Sequence, residues 1–138
     1  MNRSVVYILS TNYAGSHYLS LLLGSNSQTT HLGEVKRLRF ADEADRKRAC
    51  YLCRDKPDCK LLGGIGPENL ADIYPIVFSR VPTRVKVLVD SSKNTFWARR
   101  FLHDGRYARK YVHLIRDPRA LVRRYVELDV TCSRAKSR

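Results

Sequence analysis

An apolar run from Val5 to Leu9 stops at the small polar residues Ser10-Thr11-Asn12. A helical spacing follows, with Leu19, Leu22 and Leu23 on one face and an end near Gly24. The pair predicts strand, tight turn, helix. Gly15 lets the turn run close, and Ser16 can cap the helix. The first amides of such a helix and the positive end of its dipole meet in the turn, a place that suits a phosphate or sulfate. The loop is not a Walker A loop. Ser16 and His17 follow Gly15 where that motif needs Lys and Ser/Thr, which argues against a nucleotide kinase.

The pattern repeats along the chain. Ser25 to Ser27 is a turn, and Gln28 to Leu32 a short second strand that ends at Gly33-Glu34. An acid just past a strand end can act as a general base, or simply sit exposed near a helix start. Residues 35–66 form a basic, cysteine-containing excursion that closes on a flexible bridge, Leu61 to Gly66. Pro67-Glu68 opens a helix with Leu70, Ile73, Tyr74 and Val77 on its apolar face. A third strand covers Val85 to Asp90, with Ser91 to Asn94 as the turn behind it. The next helix runs from Thr95 to His103, and its Trp97 and Phe101 read as core. Tyr111 to Ile115 is the last strand, where His113 reads as a structural histidine. Arg116-Asp117-Pro118 then leads into a helix with Leu121, Val122, Tyr125 and Leu128 along one face. Residues 131–138 read as a frayed basic tail.

Strands that alternate with helices predict one α/β domain over residues 1–138, a parallel sheet with helices on both faces in three layers. The loops after the first, third and last strands then share one edge. Arg116 at a strand end can offer a planar fork to a phosphate.

Composition narrows the partner. Lys plus Arg number 26 against 13 Asp plus Glu, a net charge of +13 over 138 residues. Such a surplus favours an anion: nucleotide, nucleic acid, sulfated sugar or lipid. No stretch is long and apolar enough to cross a membrane. The short apolar run behind Met1-Asn2-Arg3-Ser4 makes a poor signal peptide, so a cytoplasmic protein is expected. Cys50, Cys53 and Cys59 are spaced C-x2-C-x5-C, and His31 or Cys132 can complete a zinc tetrahedron. Without a second C-x2-C pair, reduced thiols or one disulfide outweigh zinc, and no metal is expected.

Three separated stretches resemble one family, the sulfotransferases that use 3′-phosphoadenosine 5′-phosphosulfate (PAPS). Tyr13-Ala14-Gly15-Ser16-His17-Tyr18-Leu19 is similar to the loop that binds the donor's 5′-phosphosulfate. Arg116-Asp117-Pro118-Arg119-Ala120-Leu121-Val122 is similar to the segment that binds its 3′-phosphate. Val89-Asp90-Ser91-Ser92-Lys93 resembles the middle strand and loop of bacterial and carbohydrate-type members. The resemblance implies a P-loop NTPase-like sulfotransferase fold and transfer of a sulfuryl group to a hydroxyl or amine. It implies PAPS binding by Tyr13, Ala14, Gly15, Ser16, His17, Tyr18, Arg116 and Arg124. It makes Glu34 the candidate base, Lys93 a cation beside the sulfuryl group, and His17 an alternative acid, base or oxyanion donor. Tyr13 stands where the family has a basic residue, and Arg124 where it has a serine. Family members continue past this last helix with segments that cover the adenine and shape the acceptor pocket, so the chain reads as a fragment, a truncated product or a minimal member that carries the nucleotide half of the site. The competing readings are a basic nucleic-acid-binding module, for which no recognition motif is present, and an inactive nucleotide-binding protein.

Overall fold

A computed structural model describes residues 3–40, 48–49 and 59–136, the side chains of 130–136 excepted. Its strands are β1 (Ser4–Ser10), β2 (Thr29–Gly33), β3 (Val87–Lys93) and β4 (Ala108–Leu114). Its α-helices are α1 (Ser16–Gly24), α2 (Ile73–Arg80), α3 (Thr95–Arg99) and α4 (Pro118–Lys136). Short 3-10 helices span Val35–Arg39 and Pro67–Asp72.

The four strands form one parallel sheet in the order β2-β3-β1-β4. β1 is central, and its apolar run is buried on both faces, with Val5 and Tyr7 on one and Ile8 on the other. The crossover from β1 to β2 moves one way across the sheet and that from β3 to β4 moves the other. Right-handed crossovers therefore place α1 and α3 on opposite faces.

The α3 face holds the main core. Val5, Tyr7, Leu32 and Leu88 of the sheet pack against Ile73, Tyr74, Val77 and Phe78 of α2 and against Trp97, Phe101 and Tyr107. Tyr7 meets Tyr74 edge-on at 5.6 Å, and Tyr74 meets Phe101 at 4.8 Å. Trp97 and Phe101 are core residues, as their spacing implies.

The α1 face is built differently from the expected leucine stripe. Ser16 and Ser20 point inward and are buried, while Leu22 and Leu23 are exposed. The reason lies on β2. Ser20 Oγ and His31 Nδ1 share a hydrogen bond, and α1 lies so close that a Cβ on Gly24 would sit 2.8 Å from His31 Cβ and 3.1 Å from its backbone nitrogen. Leucines on that stripe would push the helix off the sheet. Gly24→Ala is expected to destabilise the protein by about 1–3 kcal/mol through overpacking against a strand backbone that cannot yield. A lowered midpoint in urea denaturation would register it.

Other expectations are corrected by topology. β3 runs on through Ser91 and Ser92, which are buried, so the expected turn is strand. His113 is exposed because β4 is an edge strand. Leu62 and Ile65, read as flexible bridge, are buried in the core, and Arg80 Nη1 donates to the carbonyls of Leu61 and Gly63 at 2.9 and 2.7 Å. On α4, Leu121 and Leu128 are half-buried, whereas Val122 and Tyr125 are exposed. The backbone of α4 continues to Lys136, so the tail is helical over most of its length. Cys50 and Cys53 lie outside the described residues. Cys59 is a free thiol whose sulfur accepts from the Leu62 amide at 3.4 Å. No helix among the described residues is long and apolar enough to cross a membrane.

Candidate functional site

The C-terminal ends of parallel strands, where crossovers diverge, are where open α/β sheets take their ligands. A cleft of about 760 Å³ opens there, and segments from all four strand ends line it.

The first wall is the loop after β1. Tyr13 and Gly15 both take left-handed conformations, φ 63° and 96°. Gly15 is the residue that caps α1, through its backbone alone, and Ser16 is the first helical residue rather than the cap. The first intrahelical bond runs from Leu19 N to Gly15 O at 3.0 Å. The amides ahead of it open onto the cleft that Gly15, Ser16, His17 and Tyr18 line. Ala14 is buried under the loop and offers no side chain to the cleft. His17 packs edge-on against His31 at 5.2 Å. Burial pushes the His31 imidazole down to about 4, with His17 adding to the effect, so His31 is neutral at pH 7.

The opposite wall comes from the chain after β4. Arg116 Nη1 donates to the Tyr13 carbonyl at 2.7 Å and so holds the strained residue of the first loop. Arg124, in the second turn of α4, places its guanidinium over the Tyr13 ring at 5.8 Å, and Tyr125 meets that ring edge-on at 5.3 Å. Tyr13 therefore acts as the seat on which two arginines are arranged.

The floor belongs to Glu34 and Lys93. Glu34 is buried just past Gly33, which takes φ 79° to turn the chain off β2. Its Oε1 accepts from Lys93 Nζ, and its Oε2 accepts from Arg37 Nε at 3.0 Å. Burial pushes the carboxyl up, but Lys93 and Arg37 together outweigh it and hold the group below its ordinary value.

β3 reaches this floor through an irregularity. Tyr7 pairs with Asp90 but Leu9 with Lys93, and on the other edge His31 pairs with Val89 but Gly33 with Asp90. Asp90, 1% exposed, organises the slip. Its Oδ1 accepts from Ser92 N at 2.7 Å, and its Oδ2 accepts from Tyr74 OH at 2.6 Å and Trp97 Nε1 at 2.8 Å. Burial pushes the Asp90 carboxyl up against the pull of these donors. Lys93 then takes φ 64°, and Ser92 Oγ accepts from Lys36 N at 3.1 Å. One buried carboxylate thus fixes both the strand that carries Lys93 and, through Ser92, the 3-10 helix after Glu34.

The sequence-derived residues Tyr13, Gly15, Ser16, His17, Tyr18, Glu34, Lys93, Arg116 and Arg124 all line this one cleft. Sequence reasoning missed Asn12 and Arg37. The three-residue spacing from Glu34 to Arg37 was the available signal for the second. Among the described residues the cleft carries Arg37, Lys93, Arg116 and Arg124 against one carboxylate, so its potential is positive. No group of His, Cys, Asp and Glu among them could hold a metal ion, and the Nδ1 of His31 is committed to Ser20. The chain matches no protein-family model, no curated protein and no solved structure.

Proposed function

We propose that the chain is a sulfotransferase that uses PAPS, or the donor-binding domain of one, on a P-loop-like α/β fold. The observation that carries this reading is convergence. Three segments separated by up to about a hundred residues, two similar to donor-binding stretches of that family and one to its middle strand and loop, meet in one basic cleft at the strand ends. The donor set fits the nucleotide. The first amides of α1 suit a 5′-phosphosulfate, and the forks of Arg116 and Arg124 suit a 3′-phosphate.

When bound, PAPS supplies a sulfuryl group on a phosphate leaving group. The chain's own part is positioning and charge. The α1 amides and Lys93 stabilise negative charge as it gathers on the bridging oxygen. Glu34 takes the acceptor's proton. While paired with both Lys93 and Arg37 it is a weak base, and drawing Lys93 toward an anion raises its basicity. His17 lies at the same cleft edge and can donate to a developing oxyanion.

Calorimetric titration with 3′-phosphoadenosine 5′-phosphate (PAP) tests the reading against 5′-AMP, ATP and a short oligonucleotide. PAP is expected to bind at least about tenfold more tightly than 5′-AMP, the value of one added charge-assisted phosphate contact. Equal affinities would sink the proposal. A salt-sensitive preference for the oligonucleotide would favour a nucleic-acid-binding module instead.

A further inference from the structure

Tyr13 carries a bulky side chain in a left-handed conformation, φ 63°, which backbone sterics disfavour. Such a residue persists where its surroundings hold it, and here two later segments do so. Its carbonyl accepts from Arg116 Nη1 at 2.7 Å. Its ring lies under the Arg124 guanidinium at 5.8 Å and meets the Tyr125 ring edge-on at 5.3 Å. Tyr13 is 43% exposed, so filling the core does not account for the ring.

Arg124 has a rival partner. Glu127 Oε2 lies 3.6 Å from its Nη1 along α4, and Glu127 Oε1 accepts from Arg123 Nε at 3.0 Å. Every residue of α4 from Val122 to Glu127 is exposed, so burial does not fix the Arg124 side chain. Its orientation is decided between an acid on its own helix and the Tyr13 ring. The ion pair is exposed and screened by water and salt, which leaves the aromatic face a comparable attraction. Tyr13 lines the cleft and Glu127 does not, so the ring is the contact that keeps the guanidinium at the cleft.

Resting on the donor reading above, we propose that Tyr13 is a positioning residue that sets the selectivity for a 3′-phosphorylated nucleotide: its ring holds the Arg124 fork where the 3′-phosphate binds. The family that the loop resembles has a basic residue at this place. In this chain an aromatic ring occupies it, and the cation is brought from α4 instead. A cation at position 13 would face Arg116 and Arg124 at close range and push both away. The loop that offers the α1 amides to the 5′-phosphosulfate thus also sets the arginine for the other end of the nucleotide.

Calorimetric titration of the full chain with PAP and with 5′-AMP gives the ratio of two affinities that differ only through the 3′-phosphate. A loop that merely loses order weakens both and leaves the ratio alone. Tyr13→Leu, which keeps an apolar side chain and removes the π face, is expected to lower the ratio by about fourfold, the scale of one exposed cation–π contact. Tyr13→Phe is expected to keep it. Tyr13→Lys, which puts a cation where the resembling family has one, is expected to lower it at least as far as Tyr13→Leu. In an Arg124→Gln background, Tyr13→Leu is expected to lower the ratio no further, because the ring then has no guanidinium to hold. A ratio unchanged by Tyr13→Leu, lowered equally by Tyr13→Phe, raised by Tyr13→Lys or reduced additively in the double variant would overturn the proposal while leaving the donor site standing. Tyr13→Lys keeps the test decisive if Tyr13→Leu misfolds. Failure of the unmutated chain to prefer PAP over 5′-AMP would overturn both.

Discussion

Arg116→Ala is expected to weaken PAP binding by about 30-fold, the scale of one lost charged hydrogen-bond pair to phosphate. The effect has two sources that a second variant separates. In the proposed donor site the guanidinium offers a planar fork to the 3′-phosphate, and it also donates to the Tyr13 carbonyl, which holds the first loop in place. Arg116→Lys keeps the charge without the fork, and is expected to lose about fivefold. The diagnostic quantity is the ratio of PAP to 5′-AMP affinity. If Arg116 binds the 3′-phosphate, Arg116→Ala lowers PAP affinity far more than 5′-AMP affinity. An equal loss for both would assign Arg116 to holding the loop alone.

Asp90→Ala is expected to cost about 4 kcal/mol of stability, because it strands three buried donors at once and each unsatisfied group costs about 1–3 kcal/mol. Those donors are Tyr74 OH, Trp97 Nε1 and Ser92 N. Asp90→Asn does not restore them. An amide has one oxygen, and its NH2 would face donors on the other side, so it is expected to recover less than half of the loss. Equilibrium urea denaturation followed by the fluorescence of Trp97 measures both. A loss below about 1 kcal/mol for Asp90→Ala would mean that the network contributes no more than one ordinary hydrogen bond. A domain stability of about 5–15 kcal/mol leaves little room for the expected cost, so Asp90→Ala should be partly unfolded well below the melting point of the parent.

The parts of this molecule that were legible in the sequence are those set by local pattern. The run Val5 to Leu9 reads as a buried strand, Gly15 marks a turn that needs positive φ, and Pro118 opens a helix after an arginine. These place the loop, Arg116 and Glu34 at one sheet edge before any coordinates are known. What misleads is the assumption that apolar means inward. On α1 the inward residues are serines, since the space is taken by the His31 ring and by a backbone approach that only Gly24 permits. Ser91 and Ser92 read as turn residues, yet they are strand, because Asp90 satisfies the Ser92 amide from within the core. His113 reads as structural because nothing in the residues around it says that its strand lies at an edge. The bond between Glu34 and Lys93 joins residues 59 apart, and no spacing rule reaches that far.

The central position of β1 also has a consequence for how the chain is made. Ser4 pairs with Val87 on one side and with Ala108 on the other. During synthesis β1 therefore emerges about eighty residues before β3 and about a hundred before β4. At about 5–20 residues per second it waits on the order of ten seconds as an unpaired apolar strand. The helix behind it, with its two serines and a glycine facing inward, has little to bury in the meantime. The sheet is thus closed by its latest-made strands, and the cleft, whose first loop is tied by an arginine 103 residues downstream, is assembled only in that closing step. Such long-range closure makes folding slow and exposes the nascent strand to chance pairing, so yield on expression should depend on how well β1 is shielded until β3 arrives.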